Sequence, residues 1–211
     1  MKTKIKALDP KTENLEIIEE AAERLKKGEP IIFPTETVYG LAALYSSENA
    51  LEKIYKIKGR DFNKTLPVMI SRTKMLSKIV QNISDSAQKL IDKFWPGPLT
   101  IIFQAKPGLS QWITSETQTI GIRLPSHSIP LAVIDAIHEP LAVTSANLSG
   151  KPSPKTAEDA LEQLKGKIPL ILDGGRSNIG LESTIVSCEK KEIKILRIGA
   201  VSEKDIQKAL S

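Results

Sequence analysis

The sequence predicts an α/β fold built on a twisted sheet of mixed parallel and antiparallel strands, flanked by helices. Three observations carry that prediction. Helical and strand patterns alternate along most of the 211 residues, as expected for helices packed on a sheet. The strands of the second half are not each followed by a helix, which argues against a simple doubly wound sheet. No internal repeat, low-complexity tract or evident interdomain linker interrupts the pattern, so residues 1–211 read as one domain.

Residues 13–27 read as a helix, because Ile17, Ile18, Ala21, Ala22 and Leu25 recur at helical spacing and Gly28 offers a stop. Pro30-Ile-Ile-Phe33 is a short buried strand that enters the polar turn Pro34-Thr-Glu-Thr-Val-Tyr-Gly40. A second helix, about 47–57, starts at Ser46 or Ser47 and ends at Lys58-Gly59-Arg60. Leu66 to Ile70 reads as a strand. A helix over 84–94, capped by Ser84, is broken by Trp95-Pro-Gly-Pro98, which reads as a rigid packed turn. Leu99 to Phe103 and Thr119 to Leu124 are strands, and Ile129 to Ile137 is helical. Leu141 to Thr144 is a strand opening into Ser145-Ala-Asn-Leu-Ser-Gly150. The loop Lys151-Pro-Ser-Pro154 precedes a helix from Thr156 to Leu164. Strands near 169–173, 182–187 and 193–198 then lead to a helix capped by Ser202.

A chain of this length, 40% hydrophobic, buries a core without covalent staples, and with only 4% aromatics that core is aliphatic. The single cysteine, Cys188, cannot form an intrachain disulfide and reads as a strand residue. His127 and His138 are too few for a histidine-rich metal site, and no Cys/His cluster has metal-ligand spacing. A reducing cytoplasm is the expected setting. The first ten residues carry charge with no apolar core behind it, and no run approaches the roughly 18 apolar residues of a membrane span. The net charge of +5 favours polyanionic ligands such as nucleotides or RNA.

Five polar segments follow or interrupt the apolar strands, where α/β proteins place ligand groups. They are Thr35 to Gly40, Lys58-Gly59-Arg60 with Lys64, Thr119 with Arg123, Ser145-Ala-Asn147 with Ser153, and Leu181-Glu-Ser-Thr184 with Arg197. Hydroxyls, lysines and arginines dominate, without paired carboxylates or a Ser/His/Asp set. Such a composition binds anions, since guanidinium forks grip carboxylate or phosphate and hydroxyls complete the cradle. Neither a GxxxxGK[ST] loop nor a strand-borne GxGxxG is present, so any nucleotide is held in another way. Each segment also has a plain structural reading. Thr35 and Thr37 can form turns, Arg123 can be a salt-bridged strand residue, Lys58 and Lys64 can face solvent at a helix end, and Ser145 and Asn147 can cap a turn. The co-occurrence of the segments is what points to a site.

Together these segments resemble the YrdC-like domain of threonylcarbamoyl-AMP synthases. The matching stretches are Phe33-Pro-Thr-Glu-Thr-Val-Tyr-Gly-Leu41, Ile57-Lys-Gly-Arg60 with Lys64-Thr-Leu66, Phe94 to Thr100, and Ile122-Arg-Leu-Pro125 with His127. Thr144-Ser-Ala-Asn147 with Ser149-Gly150 and Ser153-Pro154 also match, as does Glu182-Ser-Thr-Ile-Val186 followed by Leu196-Arg197. The resemblance implies a twisted mixed sheet with a basic concave face. It implies a nucleotidyltransferase that makes threonylcarbamoyl-AMP and pyrophosphate from ATP, L-threonine and bicarbonate, for the modification of tRNA with partner proteins. It places Arg60, Lys64, Thr119, Ser145, Asn147, Ser153 and Arg197 around ATP, with Arg60 and Lys58 as the catalytic cations. It places Thr35, Thr37, Arg123, Val143 and Ser183 around threonine, and a magnesium ion beside the triphosphate.

Departures from the pattern are Asp61, where proline often follows the arginine, and Lys64-Thr65-Leu66-Pro67 in the next element. Met69 stands where some members place a threonine-contacting histidine. The chain resembles the short form, without a carboxyl-terminal domain. The alternative function is a non-catalytic RNA-binding module of the same fold, and any binding of tRNA or double-stranded RNA is expected to be weak.

Overall fold

The structure is a computed structural model and describes residues 2–9, 14–114, 116–188 and 193–211. The first half of the chain contributes β1 (Lys4–Ala7), α1 (Leu15–Lys26), β2 (Ile31–Phe33), β3 (Gly40–Leu44), α2 (Glu48–Lys58), β4 (Val68–Met69), a 3₁₀ turn (Thr73–Lys78), α3 (Asp85–Phe94) and β5 (Leu99–Gln104). The second half contributes β6 (Thr119–Arg123), α4 (Ser128–Ile137), β7 (Leu141–Ser145), α5 (Ala157–Leu164), β8 (Leu170–Asp173), β9 (Thr184–Ser187), β10 (Lys194–Arg197) and α6 (Glu203–Leu210). These strands form one sheet in the order β1-β8-β2-β3-β7-β4-β6-β5-β9-β10. The pairs β1/β8, β2/β8, β4/β6 and β5/β9 are parallel, and the rest are antiparallel. The sheet is therefore mixed, as the sequence predicts.

Local chemistry starts and stops the helices. Ser47, Ser84, Thr156 and Ser202 each accept a hydrogen bond from a first-turn backbone N–H, which satisfies an otherwise orphaned donor. Thr156 and Asp159 complete a reciprocal capping box. Gly59 ends α2 at φ 60°, a left-handed conformation that glycine adopts without a Cβ clash.

Several features differ from the sequence reading. The edge strand β1 and the central strand β3 were not expected, nor was the 3₁₀ turn. The predicted helix start at residue 13 lies outside the described residues; the observed helix begins at Leu15. The predicted strand from Leu66 to Ile70 shortens to Val68–Met69. Pro67 has no N–H for a ladder, and its carbonyl instead accepts from Val143 N at 2.8 Å. Cys188 sits one residue past β9, where its N–H still donates to Ile102 O and burial pushes its thiol up to about 12.

The two faces of the sheet are packed differently, and this positions the site. On one face Ile32, Leu41, Ala43, Val68, Ala142, Ile101, Ile122 and Val186 form a core with residues of α2, α3, α5 and α6. On the other face Ile31, Phe33, Ala42, Leu141, Val143, Leu170 and Leu172 pack beneath α1 and α4. Those two helices cover only the β1-to-β7 half of their face. Among the described residues no helix is long and apolar enough to cross a membrane.

Candidate active site

The other half of that second face, from β7 to β9, carries a cavity of about 240 Å³. Strand periodicity builds its floor. Side chains on one strand face recur at every second residue, and the lining includes Thr100 and Ile102, Gly121 and Arg123, Pro67 and Met69, Val143 and Ser145, and Ser183 and Ile185. Their in-between neighbours Ile101, Ile122 and Val68 belong to the core behind. Gly121 keeps the floor low. A Cβ there would stand 3.1 Å from the Ile102 side chain.

The Pro34–Gly40 turn forms one wall. It is polar in sequence yet buried throughout, with Thr37 and Tyr39 fully inaccessible. Thr35 Oγ1 donates to Val38 O at 2.7 Å and accepts from Thr37 N at 3.1 Å, so this hydroxyl shapes the turn while lining the cavity. Thr37 Oγ1 accepts from Arg123 Nη1 at 3.0 Å. Arg123 Nε donates to Gly97 O at 3.1 Å, and Nη2 meets Glu36 Oε2 at 2.7 Å. Glu36 is fixed in turn by Ser126 N, which donates to Oε1 at 3.0 Å. Burial pulls Arg123 below its ordinary pKa and Glu36 opposes the shift; the guanidinium stays charged. Gly97 of the Trp95–Pro98 turn thus supports the site, a role the sequence reading did not give it.

Lys58 lies beneath the opposite wall. Its Nζ donates to Ser145 O at 2.5 Å, Asn147 O at 2.6 Å and Asn147 Oδ1 at 2.9 Å. Burial pushes this amine down to about 7, with Arg60 acting in the same direction and Glu182 against it. The three acceptors decide the matter, because a neutral amine has only two N–H groups to meet them; Lys58 is an ammonium ion. Asn147 Oδ1 also accepts from Ser145 Oγ at 2.6 Å, and Nδ2 donates to Lys151 O at 2.5 Å. Half-buried Arg60 donates through Nε to Lys64 O at 2.9 Å and through Nη2 to Thr65 O at 3.0 Å, which curls the 61–65 loop around it.

At the mouth, Arg197 donates through Nε and Nη2 to Ser183 O at 3.2 and 2.8 Å, and its Nη1 pairs with Glu182 Oε2. Ser153 Oγ donates to Glu182 Oε1 at 2.6 Å. Ser183 Oγ and Thr100 Oγ1 lie 2.8 Å apart.

Of the residues singled out from sequence, Thr35, Thr37, Arg60, Arg123, Val143, Ser145, Ser183 and Arg197 all line this cavity. Lys58 and Asn147 stand behind Ser145, and Ser153 reaches the lining through Glu182. Lys64 and Thr119 are not in this lining. Lys64 is exposed, and Thr119 Oγ1 lies 3.3 Å from Thr117 Oγ1. Both flank a second cavity of about 750 Å³, lined by Asn63, Thr117 and Gln118 among others, which shares Thr65 with the first. Met69 is at the floor, 7% exposed. Sequence reasoning assigned no part to Glu36, Thr100, Gly121 or Glu182. Period-two spacing from Arg123 back to Gly121, and from Ile102 to Thr100, is the signal that finds two of them.

Three guanidiniums, Arg60, Arg123 and Arg197, line the cavity against one carboxylate, Glu182. The arrangement is suited to anions, with one fork deep on the floor and two nearer the mouth. No group of three or more His, Cys, Asp or Glu side chains that could hold a metal ion occurs among the described residues. A magnesium ion brought in on a polyphosphate needs only one or two protein carboxylates, and Glu182 is the one placed to serve.

The profile of the Sua5/YciO/YrdC family, described as telomere recombination, matches residues 23–199. A Bacillus subtilis (strain 168) protein named threonylcarbamoyl-AMP synthase is 41% identical over 211 residues, taking in 98% of this chain and 61% of the relative. P. abyssi Sua5 complexed with L-threonine superposes with a TM-score of 0.94 at 36% identity, over 99% of this chain and 61% of that one. E. coli YciO superposes with a TM-score of 0.87 at 25% identity, over 97% of this chain and 99% of that one. The chain thus spans about 61% of the length of the first two and nearly all of the third. The profile match over residues 23–199 and the 41% identity over 98% of the chain show that the chain belongs to the Sua5/YciO/YrdC family.

Proposed function

We propose that the chain is an L-threonylcarbamoyladenylate synthase, joining ATP, L-threonine and bicarbonate into threonylcarbamoyl-AMP with release of pyrophosphate. The observation that carries this reading is one cavity with a buried guanidinium fork, Arg123, on its floor and two further guanidiniums, Arg60 and Arg197, nearer its mouth. The bacterial relative's name and the threonine-bound archaeal relative support it.

In this reading Arg123 and Thr37 take the threonine carboxylate, with Thr35, Ser183 and the backbone at Val143 around the rest of the amino acid. Arg60, Ser145, Ser153 and Arg197 face the nucleotide, and Lys64 and Thr119 reach it from the second cavity. An oxygen of the N-carboxylated threonine attacks the α-phosphorus, and the bond to the pyrophosphate oxygen breaks. Such a displacement needs alignment and positive charge more than a protein nucleophile. Arg60 supplies charge at the reacting phosphate. Lys58 acts through Ser145 and Asn147, whose loop it holds from behind. Magnesium, held by the polyphosphate with Glu182, would add charge neutralisation.

The product's expected use is the threonylcarbamoyl modification of tRNA by partner proteins in the cytoplasm. The test is pyrophosphate release with ATP present and threonine and bicarbonate each omitted in turn. Release that requires both supports the synthase. Equal release without threonine removes it, and tight RNA binding without any release would favour an RNA-binding module.

A further inference from the structure

Glu182 is out of place by charge. It is the sole carboxylate in the cavity lining, and Lys58, Arg60 and Arg197 are the cations around it. Its two oxygens occupy two groups at once, Ser153 Oγ through Oε1 and Arg197 Nη1 through Oε2. A hydroxyl and a guanidinium converging on two oxygens of one anion is the pattern by which proteins hold phosphate.

Arg197 does not need Glu182 to stay in position. Arg197 keeps its bonds from Nε and Nη2 to Ser183 O without it. The Glu182 backbone is fixed separately, since its carbonyl accepts from Ala200 N at 2.9 Å. The side chains of Arg197 and Glu182 are 42% and 38% exposed, and pairs so open to water contribute little to stability. The contact is therefore easily exchanged for a better one.

Resting on the nucleotide reading given above, we propose that the Glu182 carboxylate holds the place of a substrate phosphate and sets nucleotide affinity by competing with it. Polyphosphate entry displaces the carboxylate from Ser153 and Arg197. Without a cation, the displaced carboxylate then repels the incoming anion. With magnesium on the polyphosphate, the same carboxylate has a cation to face, so Glu182 favours metal-complexed over free nucleotide.

The experiment is calorimetric titration of the full chain and of Glu182→Gln and Glu182→Ala with inorganic pyrophosphate and with ATP, each in excess chelator and in excess magnesium. In chelator both variants bind either ligand roughly three- to tenfold more tightly than the parent, because an ion-pair competitor and a like charge have been removed. The gain in affinity on adding magnesium is smaller in both variants than in the parent. Equal or weaker binding by the variants in chelator overturns the proposal, and makes Glu182 a support for Arg197. Loss of threonine-dependent turnover in the parent, with these binding differences intact, would instead remove the synthase reading and leave the competing carboxylate.

Discussion

A guanidinium as buried as Arg123 persists only where acceptors and a counter-charge meet its N–H groups, and two separate segments supply them. Gly97, Thr37 and Glu36 come from a turn, a wall and the same wall's hidden side. Glu36→Ala leaves a buried cation without its charge partner, and is expected to destabilise the fold by about 3–5 kcal/mol. Urea denaturation checks this, and a loss below 1 kcal/mol would mean that Arg123 finds another partner. Lys58 presents the same problem in reverse, since one ammonium serves three oxygens. Lys58→Met leaves those acceptors without that donor, each at a cost of about 1–3 kcal/mol when no water replaces it. The expected outcome is a lower melting temperature together with loss of turnover. Lost turnover at unchanged stability would make Lys58 a direct participant in the chemistry. Thr35, Thr37 and Arg123 were legible as residues, because hydroxyls and a cation in apolar surroundings stand out. Glu36 and Glu182 were not, because a lone carboxylate beside arginines looks the same in sequence whether it faces solvent or a buried fork.

At the scale of elements, β6 carries the site's floor. Gly121 and Arg123 face the cavity while Ile120 and Ile122 enter the core. Gly121→Val places two methyl groups into the space above Thr100 and Ile102. It is expected to abolish detectable threonine binding by calorimetry with little change in melting temperature, and retained binding would put the amino acid elsewhere. The helices were readable because serine and threonine caps and a terminal glycine frame them, and Ser84 and Ser202 cap where the sequence places them. Strand β3, Gly-Leu-Ala-Ala-Leu, was not. Its small residues have weak intrinsic strand preference, and its place between β2 and β7 follows from tertiary packing. Strand β1, Lys-Ile-Lys-Ala, is an edge strand with little burial to mark it. Pro67 misled in the other direction, since an apolar run around it looked longer than the ladder it permits.

At the scale of the molecule, function follows from incomplete cover. α1 and α4 shield half of one sheet face, and the exposed half holds three arginines over a floor of alternating strand residues. The net charge of +5 gives a further, non-specific attraction for polyanions. RNA affinity is expected to be weak and to fall at least roughly tenfold between about 50 and 200 mM salt, since phosphate contacts release counterions. A dissociation constant unmoved by salt would indicate a dedicated RNA surface instead. The central claim is that one cavity joins an amino acid to a nucleotide. Its most direct test is mass spectrometry of the product formed by the purified chain from ATP, isotopically labelled threonine and bicarbonate. The account predicts an adenylate that carries both the threonine label and the bicarbonate carbon. An adenylate lacking that carbon, or AMP and pyrophosphate formed with no adenylated threonine derivative, would contradict it.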